Sequence, residues 1–295
     1  MNRHFWITLV TTSLAPLGAT LAATPVDREI DAAAKGTLDV RNVAGSIEIS
    51  GWSKNTVHVT GTLSNNVERL DFRRDGDRVI VDVVLHENSH SYEGTLLKIE
   101  APQASDLDVS AVSANVTVAG IEGEQRIKSV SGAIATEAFA SDLDLSSVSG
   151  DVTARGHDRS AMTRAHAVSG SIELTGLAGQ IQAEAVSGSV DVKAKAIERA
   201  ILNSISGAVS LRGALDDASR VELTSTSGTL RLLFAGSAAA EYDLTTFSGP
   251  IKSCFGPPVA EPSHGPQRQQ RFREGTSNAR VHASTMSGGI ELCRE

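Results

Sequence analysis

The chain has 295 residues, 40% of them hydrophobic but only 4% aromatic, with two cysteines and a formal charge of −8. An acidic surface disfavours nucleic acid and anionic membranes as partners. So few rings leave little for stacking on sugars, and two cysteines allow at most one disulfide.

In chain order, residues 1–23 come first: a basic start (Arg3, His4), an apolar run from Phe5 and small residues up to Ala23. This is the pattern of a secretory signal peptide, and it predicts an exported protein, periplasmic or secreted. No cysteine follows the run to carry a lipid anchor, and the mature chain holds no stretch apolar enough to span a membrane.

Residues 24–101 are expected to hold a first repeat copy and an insertion. The copy is "GTLDVRNVAGSIEISGW", around Gly45. The insertion carries "ERLDFRRDGDRVIVDVVL", two alternating runs about Asp75-Gly76, a strong hairpin signal. With the strand-like "TLLKIEAP" it predicts antiparallel structure covering the N-terminal repeats.

Residues 102–295 repeat. The dipeptide Ser-Gly recurs at Gly132, Gly150, Gly170, Gly188, Gly207, Gly228, Gly249 and Gly288, behind a hydrophobic residue at all but Gly228, with Ala114 at the equivalent position of an earlier copy. The spacing is about 20 residues, half of what a propeller blade needs. Apolar residues alternate on both sides of each glycine, as at Leu143 and Leu145 before Gly150, or Val190 and Val192 after Gly188. Such alternation marks strands with one buried face. The phase slips by one residue just before the V-S-G element, so each copy is a strand, a corner and a second strand, with glycine tolerating the corner backbone. Two strands cannot bury their own apolar face, so copies must stack. The expected fold is all-β, a parallel β-solenoid of about ten short two-strand rungs with a hairpin insertion near the N-terminus.

The Gly45 copy, the charged hairpin and the iterated "VSGxI" strands resemble the bacterial putative-adhesin β-strand-repeat family. The resemblance implies an exported β-solenoid. Its motifs are structural, so it implies no active residues.

Candidate chemistry is thin. "HENSH", His86 to His90, matches H-E-x-x-H, but a zinc protease needs that motif on a helix, and strands flank it here. It reads as a polar loop, with no metal or other cofactor implied. The serines before each glycine recur once per copy, whereas a nucleophile is unique; they read as a hydroxyl column serving the corner backbone. Residues six before each glycine, from Asp108 and Arg126 to Asp243 and His282, mix signs as a solvated face does. The 39-residue gap between Gly249 and Gly288 holds a Pro-, Gln- and Arg-rich segment, 256–275, expected to be a mobile loop in which Arg268, Arg271 and Arg273 could contact a polyanion. Cys254 and Cys293 each lie five residues after their glycine, so neighbouring last rungs would bring them within disulfide range.

These readings predict a non-enzymatic envelope scaffold or adhesin-like surface. Its partner would be an envelope component, another protein, or a second copy meeting the open strand edge of the last rung. A glycan- or lipopolysaccharide-binding module is the rival reading, and a polysaccharide-active enzyme the third.

Overall fold

The computed structural model describes residues 23–86, 94–157, 160–259 and 266–295, and all regular structure among them is β. Strands on the two sides of each corner stack in parallel on their equivalents. Leu143–Ser147 lies between Gln125–Ser129 and Thr163–Ala167. Across the corner, Val152–Gly156 lies between Ile134–Ala138 and the start of Ile172–Ala185. Alternate side chains of both strands enter one interior of Val, Ile, Leu and Ala, in which Leu145, Ile172, Val190 and Leu223 are wholly buried. Stacking equivalent residues sets most of these aliphatics on one another, as Leu145 lies between Ile127 and Ala165, so most of a thin core is filled without rings.

The ends depart from the expected order. The Gly288 copy does not lie outside the Gly249 copy; it sits beneath it. Arg280–Thr285 pairs with Arg220–Ser225 on one side and with Glu241–Thr246 on the other. At the other end the insertion is not wholly antiparallel. Arg78–Leu85 and Thr95–Pro102 run parallel to Thr37–Trp52 and form a level of their own outside the Gly45 copy. With the ten aligned copies this makes eleven levels, two of them out of chain order.

Antiparallel strands cover both outer levels: Val67–Asp75 lies on Arg78–Leu85, Thr56–Leu63 on Thr95–Pro102, and Thr24–Asp31 on Thr56–Leu63. At the far end Arg268–Glu274 lies antiparallel on Glu241–Thr246. The expected mobile loop at 256–275 therefore contains a capping strand. The expected open edge is closed over Glu241–Thr246, which pairs with that strand, whereas Ile251–Ser253 after the corner pairs only with the level beneath it among the described residues. The apolar leader falls on residues 1–22, outside the described residues.

The corner also has a different physical basis from the expected one. Of the repeat glycines only Gly45 has a left-handed backbone, with φ of 112°. The others are held by contact. A Cβ on Gly188 would sit 1.9 Å from the carbonyl oxygen of Gly170, and the same clash recurs at each glycine from Gly132 onward. Glycine is there because successive backbones touch. Nor do the serines next to the glycines serve the corner, since Ser149, Ser187 and Ser227 face solvent. The hydroxyl three residues before the glycine does. Ser147 Oγ accepts the Gly150 N–H at 2.9 Å, and Ser204 Oγ accepts the Gly207 N–H at 2.9 Å while donating to the Gly188 carbonyl at 3.1 Å. Thr246 and Thr285 do the same at the last two levels.

Candidate interaction surfaces

The corner that buries the glycine expels the hydrophobic residue two before it. Val112, Val130, Val148, Ile205, Met286 and Phe247 are 44–59% exposed, and they are six of the seven exposed large hydrophobics among the described residues. They stand in register, because each following serine N–H donates to the carbonyl of the corner residue below. Ser149 donates to Val130 at 2.8 Å, Ser206 to Val186 at 3.0 Å and Ser248 to Met286 at 3.0 Å. From Val43 to Phe247 ten levels contribute, so the ridge is roughly 43 Å long at ~4.8 Å per level. The exposed serines run beside it as a parallel hydroxyl row. The ridge is apolar at nine of its ten levels, with Thr226 the exception.

The strand before the corner presents a charged face. Its outermost column, eight residues before the corner glycine, divides by sign. Asp106, Glu124 and Asp142 stack at neighbouring levels around a groove of about 220 Å³. Met162 and Gln180 follow, and then come Arg199, Arg220 and Arg280, bordering a groove of about 560 Å³. The column two residues inward mixes signs, with Arg126 3.7 Å from Asp144 and His282 3.8 Å from Asp243.

The arginines expected to contact a polyanion are engaged by their own chain. Arg271 pairs with Asp243 at 2.9 Å, Arg273 with Glu241 at 3.1 Å, and Arg268 donates to the Gly249 carbonyl at 3.1 Å. Burial alone would raise the Asp243 pKa, but hydrogen bonds from Arg271 and Gln269 and the nearby positive charges lower it overall. Beneath this strand Tyr242 is buried, stacks on Phe272 at 4.9 Å and donates to the Ala238 carbonyl at 2.7 Å. Phe234, Tyr242, Phe255 and Phe272 thus form a ring cluster at the C-terminal cap. Cys254 and Cys293 are bonded Sγ to Sγ with Cα atoms 4.9 Å apart, joining the two levels whose order is inverted.

At the other cap His58 lies between Asp27 of the outermost strand, at 2.8 Å, and Glu100, at 3.2 Å. Its hydrogen bonds to those carboxylates raise its pKa. Of the "HENSH" loop only His86 lies within the described residues. No group of three His, Cys, Asp or Glu that could hold a metal occurs among the described residues, and no helix there is long and apolar enough to cross a membrane.

Fold and surface together define a class: an all-β, solenoid-like repeat protein whose regular features are structural corners and extended faces. The chain belongs to the Toastrack DUF4097 family, whose model matches residues 31–293. Two solved structures share the fold at low identity. One is a putative lipid binding protein from Parabacteroides distasonis, with 14% identity, a TM-score of 0.51, and 91% of this chain and 96% of that chain covered. The other is a putative adhesin from Parabacteroides merdae, with 10% identity, a TM-score of 0.51, and 91% and 95% covered. No curated protein matches the chain.

Proposed function

We propose that this protein is an exported, non-enzymatic interaction protein of the cell envelope, and that the apolar ridge is the surface it presents. One observation carries the reading: nearly all the exposed large hydrophobics fall at a single repeat position. Hydrophobics left outside by chance would scatter over the surface. Repetition of a hydrophobic residue at nine of the ten levels, Thr226 being the exception, suits an extended partner, such as an apolar strip on an envelope protein or lipid assembly. The adhesin and lipid-binding descriptions of the two structural relatives are compatible with such a role.

The test is co-sedimentation with isolated native envelopes. The wild-type protein should be retained. The triple variant Val130→Thr, Val148→Thr, Ile205→Thr should stay in the supernatant with an unchanged melting temperature. Equal retention of the two proteins would refute the ridge as the contact surface.

A further inference from the structure

The charged face carries three acids in succession and then three arginines. Like charges directly across a ladder repel, so each run is locally unfavourable. Counter-charges within the chain are incomplete: Arg280 reaches Glu241 at 3.7 Å, and Arg220 donates to the carbonyls of Ala218, Ser219 and Asn278. On the acidic side the Asp106 and Asp142 carboxylates accept backbone N–H groups from the next level. The order along the column is Arg78, Thr37, Asp106, Glu124, Asp142, Met162, Gln180, Arg199, Arg220, Arg280, Glu241, and its eight levels from Asp106 to Arg280 are antisymmetric in charge about the gap between Met162 and Gln180.

We propose that two copies of this chain associate antiparallel through this face, about a two-fold axis crossing the stack between the Met162 and Gln180 levels. Such an axis lies in the plane of the interface and sets each column against the same column reversed. Asp142 then meets Arg199 of the second copy, Glu124 meets Arg220, and Asp106 meets Arg280, each pair occurring twice. Both copies rise by the same ~4.8 Å per level, so aligning one pair aligns the rest. The inner column agrees: Arg126 meets Glu222, and Asp108 meets His282. The centre is less polar, with Met162 and Ile201 lining a hollow of about 220 Å³.

The inner column also fixes the register. Slipping one copy by one level, so that the axis moves half a level towards the acids, sets Asp108 against Glu222. Slipping it one level the other way sets Asp144 against Glu222 and Asp106 against Glu241. Over the ten levels from Thr37 to Glu241 the one like-charged meeting is Asp39 with Asp243, at the rim, where Arg78 and Arg271 already neutralise them at 2.9 Å each; one level further out Arg78 faces Arg273, itself paired with Glu241 at 3.1 Å. Ten levels and a four-residue width give a patch of roughly 43 by 13 Å, about 560 Å² per copy. That is the size of a reversible interface, and one built on exposed charges weakens with salt.

Sedimentation velocity on the purified protein tests this. A dimer is expected at about 50 mM salt and a monomer at about 1 M. Glu124→Arg and Arg220→Glu should each weaken self-association at least tenfold. An equimolar mixture of the two should associate again, because both meetings of positions 124 and 220 in the mixed dimer are of opposite charge. Circular dichroism checks that Arg220→Glu stays folded, and Glu124→Arg gives an arm that leaves the arginine's own hydrogen bonds untouched. A monomer at low salt, a dimer indifferent to Glu124→Arg, or a mixture that fails to associate would each overturn the proposal.

Discussion

Gly188→Ala separates two reasons for a repeat glycine. Gly188 has no left-handed φ. If chain flexibility were the only consideration, adding a methyl at an ordinary backbone position should stabilise by about 0.4–1 kcal/mol. The structure predicts the opposite sign. The new Cβ would lie 1.9 Å from the Gly170 oxygen, 2.6 Å from its carbon and 3.1 Å from the Ser171 nitrogen, all of them backbone atoms that cannot rotate away. The two levels must separate. The Ser187 N–H bond to Val168 at 2.9 Å and the Ile172 N–H bond to Ser189 at 2.8 Å flank the contact. Weakening both costs about 2 kcal/mol, and overpacking adds ~1–3 kcal/mol. A net loss of about 3 kcal/mol is expected, with Ser187→Ala within ~0.5 kcal/mol as the exposed control. Urea titration followed by circular dichroism measures both. Gly188→Ala as stable as wild type, or more so, would refute the contact argument.

Four further outcomes are expected. Ser204→Ala removes both the acceptor for Gly207 N–H and the donor to the Gly188 carbonyl, and should cost ~1–3 kcal/mol in the same titration. Leu145→Ala, fully buried, should cost ~2–5 kcal/mol, whereas Val148→Thr on the ridge should stay within ~0.5 kcal/mol. Reducing the Cys254–Cys293 bond, which closes a separation of 39 residues, should lower stability by about 4 kcal/mol in the chain-entropy model; intact mass with and without reductant checks its presence. The raised His58 pKa means that the protonated ring favours the folded cap. Its stabilisation is full below the ordinary histidine value and is lost as pH rises through the higher folded value. Hydrogen exchange in Thr24–Asp31 should therefore speed up over that window, beyond the intrinsic pH effect, and His58→Gln should abolish the excess.

The alternation at Leu143 and Leu145 and at Val190 and Val192 was enough to read strands, a corner and stacking from the sequence. What it did not reveal depends on how levels meet. Val148 and Leu145 are equally hydropathic, and only the geometry of the phase slip puts one outside and the other inside. Arg271 looks like a solvated loop residue until Asp243, 28 positions away in sequence, is placed beside it by an antiparallel strand. The self-complementary column was present in the spacing, eight residues before each glycine, but its antisymmetry appears only once the Gly288 level is moved inside the Gly249 level. No local pattern marks that exchange; the long gap before Gly288 is its sole trace.

That exchange limits how such a protein can change in length. In a simple stack, a duplicated repeat appended after the last copy adds one more level. Here the last copy in the chain is wedged between two earlier ones, with the Gly249 level and its strand Arg268–Glu274 forming a lid over it. An appended copy would meet that lid and have nowhere to stack. The mirror-image arrangement at the other end, where the Gly45 copy lies beneath the level built from Arg78–Leu85 and Thr95–Pro102, blocks addition there as well. New repeats can enter only in the middle, between Ala114 and Gly228, where chain order and stacking order agree. The fold is thus a ruler that can be lengthened at its centre but not at its ends. The Gly249 level also has no seat until the Gly288 copy has been made, so these two levels must complete together.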